Sequence, residues 1–279
     1  MIDLSLGYSP CPNDTFIFSA LVQGKVPLPE GITLRERLED VETLNRMAFQ
    51  EKLDISKVSC HAFGHVRNRY VLLRSGFALG KGCGPLLVER GEDAPAVDLT
   101  RQRIAVPGEF TTAFLLLRMY EPKAQNIIIL PFNQILQAVR RGEADAGLII
   151  HESRFTYQSF GLRKILDLGD FWEKESGGCP LPLGGIMVRR ALGRETARTI
   201  EDAIRQSVRY ARAHPEEAKD YIRHHAQEME DSVIFSHIDL YVNEYTLDIG
   251  QDGEDAIRLL LAKAEARGIV PPSSFDLFR

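Results

Sequence analysis

Short apolar runs alternate with stretches of helical periodicity along almost the whole chain. Residues 4–8 and 127–131 have the length and composition of strands, whereas apolar side chains recur at helical spacing over residues 40–49. This alternation is typical of an α/β fold with mostly parallel sheets and helices on the sheet faces. A chain of 279 residues is long enough to bury one large core or two compact ones.

The first strand-like run ends in a loop of turn formers and short polar side chains. Residues 9–15 read Ser-Pro-Cys-Pro-Asn-Asp-Thr, directly before an apolar helical pattern over residues 16–21. Asn13 or Asp14 is expected to cap this helix and to leave backbone N–H groups available above the strand. A ligand-binding turn and an ordinary capped turn are equally good interpretations of this pattern.

A second loop of the same kind follows the strand expected over residues 102–106. It ends in Thr111 and Thr112, at the start of a helix that carries residues 115–119. Hydroxyl groups and the N–H groups of a first helical turn suit an oxyanion such as a carboxylate. An ordinary N-cap is the alternative interpretation of the spacing.

The repeated strand–loop–helix device predicts two sheets that face a shared cleft. Ligands of open α/β sheets bind beyond the carboxyl ends of the strands, so two such ends enclose a small molecule from both sides. The polar, aperiodic segment 90–100 is typical of a crossing linker. Hinge closure is expected near residues 90–102 and 176–186, where Gly177–Gly178 and Gly184–Gly185 would permit it.

His151 is the strongest candidate for a catalytic side chain. It directly follows the apolar run 146–150, so its imidazole is expected at a strand end. A histidine there titrates near neutral pH and can act as a general base, although a strand-end histidine can also simply bond a backbone carbonyl. Glu152 is a candidate for orienting the ring, and Arg154 for holding an anion.

Lys57 and Ser59 lie at the end of the strand expected over residues 53–58. A cation beside a hydroxyl group suits a carboxylate ligand. A solvated surface lysine is nevertheless the commoner outcome for a single Lys in this position.

Composition excludes several classes of function. The net charge of −5, without a clustered excess of Lys and Arg, argues against nucleic-acid binding and against a polybasic membrane anchor. Apolar runs fall well short of the roughly 20 residues that span a bilayer. The sequence begins without the features of a signal peptide, so a cytoplasmic protein is expected.

Metal and cofactor motifs are also lacking in the sequence. Cys11, Cys60, Cys83 and Cys179 form no CxxC pair, which predicts neither a disulfide nor a structural zinc. The pairs His61–His65 and His224–His225 lack a third ligand in a recognisable motif. Glycine-rich nucleotide loops and a GxSxG elbow are absent, so chemistry without a cofactor and without a nucleophilic serine is expected.

Five motifs together resemble the 1,4-dihydroxy-6-naphthoate synthase family of the futalosine route to menaquinone. They read SPCPNDTF at 9–16, DVETLN at 40–45, RSGFALG at 74–80, AVPG at 105–108 with the threonine pair, and GLIIHESRFTY at 147–157. The resemblance runs from about residue 4 to the C-terminal helices. It is specific because all five motifs occur in one chain.

The resemblance implies a type II periplasmic-binding-protein-like fold with two α/β lobes. The first, larger lobe is expected to comprise residues 1–97 and 181–279, and the second residues 98–180. The implied reaction converts cyclic dehypoxanthine futalosine into 1,4-dihydroxy-6-naphthoate and releases the sugar-derived fragment, without metal or cofactor. In this chain the family's histidine base falls on His151, and its substrate contacts fall on Lys57, Val58, Ser59, Thr111 and Thr112. Asn13, Asp14, Asn45 and Arg154 are further candidate pocket residues with open roles.

Three alternatives remain open at this level. Chorismate dehydratase, of the same pathway, shares the fold and also removes a proton near a carboxylate-bearing ring. A non-catalytic solute-binding protein would normally carry an export signal, and a ligand-sensing regulator would normally carry a basic helix-turn-helix. Whether two copies form a homodimer is not determined by one sequence.

Overall fold

The computed structural model describes residues 2–91, 98–226 and 230–278. It divides into two compact units, of which unit 1 comprises Met1–Gly80 with Pro182–Arg279 and unit 2 comprises Lys81–Leu181. Each unit contains a sheet flanked by helices, which confirms the α/β class. The middle of the expected linker, residues 92–97, and with it the expected lobe boundary at 97–98, lies outside the described residues.

The sheet of unit 1 is mixed. Its strands are β1 (Ile2–Tyr8), β2 (Ile32–Leu38), β3 (Ile55–Ser59), β4 (Tyr70–Leu72), β5 (Ala78–Gly80) and β11 (Leu181–Arg189). They follow the order β2-β1-β3-β11-β4, and β5 pairs with β11. β1 runs parallel to its neighbours β2 and β3, whereas β11 runs antiparallel to β3 and β4.

Helices of unit 1 cover this sheet. They are α1 (Pro12–Val22), α2 (Val41–Phe49), α3 (Cys60–Val66), α8 (Gly193–Ala213), α9 (Pro215–His225), α10 (Asp231–Tyr241), α11 (Glu244–Leu247) and α12 (Gly250–Ala266). Buried side chains of β1, α1 and α8, among them Leu6, Phe18 and Ile204, form one apolar cluster. Burial of this kind stabilises by about 25 cal/mol per Å² of apolar surface. The cluster therefore fixes α1 on the sheet, with the start of α1 at the carboxyl end of β1.

Unit 2 has the same kind of mixed sheet. Its strands are β6 (Leu86–Arg90), β7 (Ile104–Val106), β8 (Ile127–Ile129), β9 (Ala146–Ile149) and β10 (Leu162–Asp167), in the order β10-β6-β9-β7-β8. Here β7 runs parallel to β8 and β9, and β6 runs antiparallel to β9 and β10. The helices are α4 (Thr112–Tyr120), α5 (Phe132–Arg141), α6 (Ser153–Thr156) and α7 (Leu168–Ser176).

The sheets are mostly parallel, as expected, but β11 in unit 1 and β6 in unit 2 pair antiparallel with their neighbours. β11 and β6 are strongly apolar and buried, so their sequences look like those of parallel strands, although both pair antiparallel. A continuous apolar run reports burial of both faces and does not report strand direction. The sequence pattern also gave no sign of β5, β10, α7 and α10.

The first helix begins earlier than expected. α1 starts at Pro12, with Cys11 as its N-cap residue, so Asn13 and Asp14 lie inside the first helical turn and cap nothing. Proline suits the first helical position because its missing N–H has no partner there in any case. The capping prediction for Asn13 and Asp14 is therefore wrong, and both side chains are available for other contacts.

The glycines of β11 have a packing role. A Cβ atom at Gly184 would lie 2.7 Å from the carbonyl oxygen of Val58, and one at Gly185 would lie 2.2 Å from the ring of Phe77. Real Cβ atoms do not approach other atoms so closely, so both positions require glycine. Gly177 ends α7 in a left-handed conformation, with φ of 71°.

Among the described residues, no helix has both the length and the apolar character needed to cross a membrane.

Candidate functional site

In unit 1 the polar candidates collect at the carboxyl ends of two neighbouring parallel strands. β1 leads through Ser9 into α1, and β3 leads through Ser59, its last residue, into α3. Parallel neighbours end at the same edge of a sheet, which is where open α/β sheets bind their ligands. The parallel pairing of β1 with β3 therefore places both strand-end loops at one edge of the sheet.

Asp14 is the centre of a buried hydrogen-bonded group, called here the Asp14 network. One carboxylate oxygen, Oδ2, accepts from the backbone N–H (3.3 Å) and the hydroxyl (2.8 Å) of Ser9. The other oxygen, Oδ1, accepts from Asn13 Nδ2 at 2.9 Å and from Lys57 Nζ at 2.8 Å. Asp14 also lies in the first turn of α1, where the helix dipole favours a negative charge.

Lys57 is not the solvated surface lysine that is the commoner outcome. The residue is only 4% exposed, and its ammonium group pairs with the Asp14 carboxylate. The pair joins residues 43 positions apart in the chain, so no local sequence pattern predicts it. A buried cation costs several kcal/mol unless it is paired, and Asp14 supplies that pair.

A second polar group lies beside the first, around Asn45 on α2. Its amide accepts from the backbone N–H of Ser59 at 3.0 Å and donates to the Ser59 hydroxyl at 3.2 Å. Asn45 is fully buried, and Val58, which precedes Ser59 in β3, is 1% exposed. Asn45 therefore fixes the backbone at the end of β3, the stretch that carries the candidate substrate contacts 57–59.

Sequence reasoning missed His237, the far member of the Asp14 network. This residue lies on α10 and is fully buried, and its Nε2 atom is 2.9 Å from Asn13 Oδ1. The two residues are 224 positions apart. The only sequence signal was an isolated histidine in an apolar segment, which by itself predicts a core residue.

In unit 2 the candidates also follow neighbouring parallel strands. β7 leads through Pro107–Gly108 to the start of α4, and β9, which pairs parallel with β7, ends two residues before His151. Thr111 is the N-cap residue of α4: its hydroxyl accepts from the Phe114 N–H at 3.2 Å and donates to the Gly108 carbonyl at 3.0 Å. The N-cap interpretation is correct for Thr111, whereas Thr112 lies in the first turn and is 3% exposed.

His151 has an unusual backbone. Its φ of 56° lies in the left-handed region, which costs a residue with a Cβ atom about 1–2 kcal/mol. Its half-buried ring packs edge-on against Phe132, with 5.0 Å between the ring centroids. Strained backbone of this kind persists only where the surrounding structure holds it in place, and it clusters at functional sites.

The residues after His151 are held within unit 2. Glu152 is 6% exposed and precedes the short α6. Arg154 Nη2 contacts Asp167 at 3.1 Å and the Gly82 carbonyl at 2.9 Å, and Nη1 donates to the carbonyl of Gly84. The guanidinium group predicted to hold an anion therefore already neutralises a carboxylate of the protein and ties the loop before β6 to β10.

Two buried thiols are poor nucleophiles in this fold. Burial raises the pKa of Cys60 to about 12, and the positive charge of Lys57 opposes that rise only partly. Burial likewise raises the pKa of Cys83 to about 12, against the opposing charge of Arg154. Since the thiolate is the reactive form, neither group is suited to nucleophilic catalysis near neutral pH.

The histidine pair at 61 and 65 lies on α3, with 5.3 Å between the ring centroids. Two imidazoles are fewer than the three or four ligands of a typical zinc site. The expectation that the protein works without a metal therefore stays a prediction.

Comparison with known proteins gives consistent results. A family model described as menaquinone biosynthesis matches residues 4–266. A 1,4-dihydroxy-6-naphthoate synthase of Thermus thermophilus is 53% identical over 99% of this chain and 98% of that protein. A 1,4-dihydroxy-6-naphthoate synthase of Streptomyces coelicolor is 46% identical over 96% of this chain and 95% of that protein.

Solved structures show the fold. A crystal structure of an Archaeoglobus fulgidus protein has 35% identity and a TM-score of 0.88, covering 96% of this chain and 98% of that one. The periplasmic aliphatic sulphonate binding protein of Escherichia coli has 12% identity and a TM-score of 0.65, and the match covers 99% of this chain and 90% of that one. The second likeness concerns the fold alone and confirms a periplasmic-binding-protein-like architecture.

Proposed function

The chain belongs to the menaquinone biosynthesis family, and from that membership we propose that it is a 1,4-dihydroxy-6-naphthoate synthase. Its substrate would be cyclic dehypoxanthine futalosine, and the reaction a carbon–carbon lyase step that releases the sugar-derived fragment. The observation that carries this proposal is the near full-length likeness to two synthases. The strained His151 at the end of β9 supports it, since the reaction needs one directed base.

The chemistry requires removal of a proton next to a carbonyl group. His151 would take that proton, and the electron pair of the C–H bond would form an enolate. The bond to the sugar-derived carbon would then break, its electron pair leaving with the sugar-derived fragment, which would take the proton back from the His151 imidazolium. Formation of the aromatic naphthoate ring supplies the driving force. A positioned general base of this kind contributes about 10²–10⁴-fold to the rate.

The remaining site residues would bind the substrate and its developing charge. In unit 1, the Lys57 ammonium group would pair with a carboxylate of the substrate. Val58 and Ser59, the last two residues of β3, would contact the substrate beside it. In unit 2, Thr111 and Thr112 offer the start of α4, where N–H groups favour an anion. Asn13, Asp14 and Asn45 would shape this surface and not touch the reacting atoms, because their amides and carboxylate already bond other residues of unit 1.

The first experiment incubates the purified protein, without added metal or cofactor, with cyclic dehypoxanthine futalosine and separately with chorismate. Products are followed by mass spectrometry. Release of 1,4-dihydroxy-6-naphthoate is expected. Dehydration of chorismate would instead assign the sister activity of the pathway, and binding without turnover of either compound would indicate a solute-binding protein.

The role of His151 is tested by His151→Ala in the same assay. We expect kcat to fall by about two orders of magnitude or more, with little change in KM. His214→Ala is the matched control, because it removes an exposed imidazole that stacks on Tyr210 in unit 1. Wild-type turnover by the His151 variant would refute the assignment.

A further inference from the structure

We propose that His237 is a positioning residue that directs the Lys57 ammonium group towards the substrate, acting through Asn13 and Asp14. This inference rests on the proposed function, in which Lys57 binds the substrate. His237 reaches neither the substrate nor the reacting atoms in this scheme. It acts at the far end of the Asp14 network.

The hydrogen bonds of the network run in one defined direction. Asp14 as a carboxylate only accepts, so Asn13 must turn its NH₂ group to Asp14 Oδ1 (2.9 Å) and its carbonyl oxygen away. That carbonyl oxygen faces His237 Nε2 at 2.9 Å, and therefore Nε2 must carry the hydrogen. His237 and Asp14 thus favour the same orientation of the Asn13 amide, and His237 holds the amide from its carbonyl side. The opposite orientation would set two oxygen atoms against each other.

The two oxygens of Asp14 have separate tasks. Ser9 holds Oδ2 through its N–H and its hydroxyl, whereas Oδ1 is shared by Asn13 and Lys57. A change at His237 therefore reaches the oxygen that holds Lys57 and leaves the Ser9 side in place. If Asn13 no longer donates to Oδ1, the ammonium group is the remaining donor there and is drawn towards the carboxylate.

Burial makes this coupling strong. His237, Asn13, Asp14 and Lys57 are 0%, 6%, 4% and 4% exposed. Hydrogen bonds in such surroundings are not readily replaced by bonds to water, and a buried polar group left without its partner is costly. The Asn13 carbonyl would have to find a new donor if His237 lost its N–H. Without that donor the amide is no longer held from its carbonyl side, and a shift of Asn13 towards another donor would weaken its bond to Asp14.

The test compares two substitutions of His237 in steady-state kinetics with cyclic dehypoxanthine futalosine. In His237→Gln the amide nitrogen reaches the position of Nε2 and can still donate, whereas His237→Leu cannot. We expect the leucine variant to raise KM roughly tenfold with kcat nearly unchanged, as for the loss of one buried hydrogen bond, and the glutamine variant to stay near the wild-type KM. Equal KM increases in both variants, or none in the leucine variant, would overturn the proposal.

A matched control separates positioning from simple destabilisation of α1. Ser207 on α8 is buried and bonds the backbone of α1, accepting from Leu21 N–H and donating to the Ile17 carbonyl. Ser207→Ala should lower the stability and leave KM unchanged. If it raised KM as much as His237→Leu does, a structural role would explain both and the proposal would fail.

Asn13→Ala provides the second variant, which also serves if the leucine variant does not fold. It should raise KM as His237→Leu does, and the double variant should be no worse than Asn13→Ala alone. Multiplying effects would mean that His237 acts by another route. Neither variant in this pair removes Asp14 or Lys57, so the ion pair itself stays present.

Crystal structures of the wild type and of His237→Gln and His237→Leu keep this test independent of the reaction. We expect the Lys57 ammonium group to be displaced towards Asp14 in the leucine variant and to superpose on the wild type in the glutamine variant. A wild type that does not turn over the substrate would refute the proposed function. In that case the positions of the Lys57 ammonium group still decide the inference: an unmoved group in the leucine variant would refute it.

Discussion

The strand-end loops of unit 1 and unit 2 follow the same chain path but differ in how their polar side chains are held. In unit 1, Asp14, Asn13 and Lys57 bond one another in a buried network. In unit 2, the prominent feature is the left-handed backbone of His151, which aims one imidazole beside Phe132. The strand-end loops thus carry a buried hydrogen-bonded network in unit 1 and an imidazole on strained backbone in unit 2.

The two units should therefore differ in how their candidate side chains affect the free energy of unfolding. A buried hydrogen-bonded network rigidifies the elements that it joins, so substitutions in the network of unit 1 should lower stability. The strained backbone of His151 instead lowers the stability of unit 2, and the contacts of the rest of the unit offset that cost. Substitutions in the two units should therefore separate into those that lower stability and those that lower only the rate.

The largest expected effect is the loss of turnover in His151→Gly. The variant should lose about 10²–10⁴-fold in kcat while its stability is unchanged or higher, because glycine adopts φ of 56° without strain. Thermal unfolding and steady-state kinetics measure the two quantities. Glu51→Gly is the matched control in unit 1, with φ of 52°, and should gain stability at full activity. A clear loss of stability in His151→Gly would contradict the strain argument.

Lys57→Met is expected to give the largest loss of stability in unit 1. It leaves the Asp14 carboxylate buried without its cation, which typically costs about 3–5 kcal/mol. Urea denaturation measures the loss. Lys25→Met is the control, because its ion pair with Glu217 lies at the surface, with about half of each side chain exposed. The urea concentration at the midpoint of unfolding should not change in this variant. Equal effects of the two variants would show that the Asp14 network contributes little.

Each unit carries a buried thiol that reports on stability at high pH. The pKa of Cys60 in unit 1 is raised from 9.0 to about 12, and that of Cys83 in unit 2 likewise, by burial. The unfolded thiols ionise first, so stability should be unaffected below pH 9 and should fall between pH 9 and 12 by about 1.4 kcal/mol per pH unit for each thiol. Cys60→Ala and Cys83→Ala should each flatten the decline.

The same thiols allow the units to be compared near neutral pH. Alkylation with iodoacetamide, followed by peptide mass spectrometry, should label the partly exposed Cys179 well before Cys60 and Cys83. Different labelling rates of Cys60 and Cys83 would show which unit opens more readily. Labelling of Cys60 as fast as that of Cys179 would contradict its burial.

The smallest expected effect concerns helix caps. Thr111→Val in unit 2 and Asp40→Ala in unit 1 each remove a side-chain cap and should cost about 1 kcal/mol. Only Thr111→Val should also raise KM, since the start of α4 is the proposed anion contact. Thr111→Ser should restore both quantities. An unchanged KM in Thr111→Val would leave the threonine with a structural role only.

Features whose cause lies within a few residues could be predicted from the sequence. Alternating periodicities gave the α/β class, the Thr111 cap follows from a hydroxyl directly before a helical run, and His151 lies at a strand end as expected. The motifs at 9–16 and 147–157 also indicated the family. Such signals are local because caps and periodic burial depend on neighbouring residues along the chain.

The partners of the buried polar side chains became visible only in the folded chain. The burial of Lys57 against Asp14 and the contact of His237 with Asn13 join residues 43 and 224 positions apart. The antiparallel pairing of β11 with β3 and the left-handed backbone of His151 likewise depend on how the chain closes. A side chain's partner across such distances is set by the packing of whole elements, which no short sequence pattern encodes.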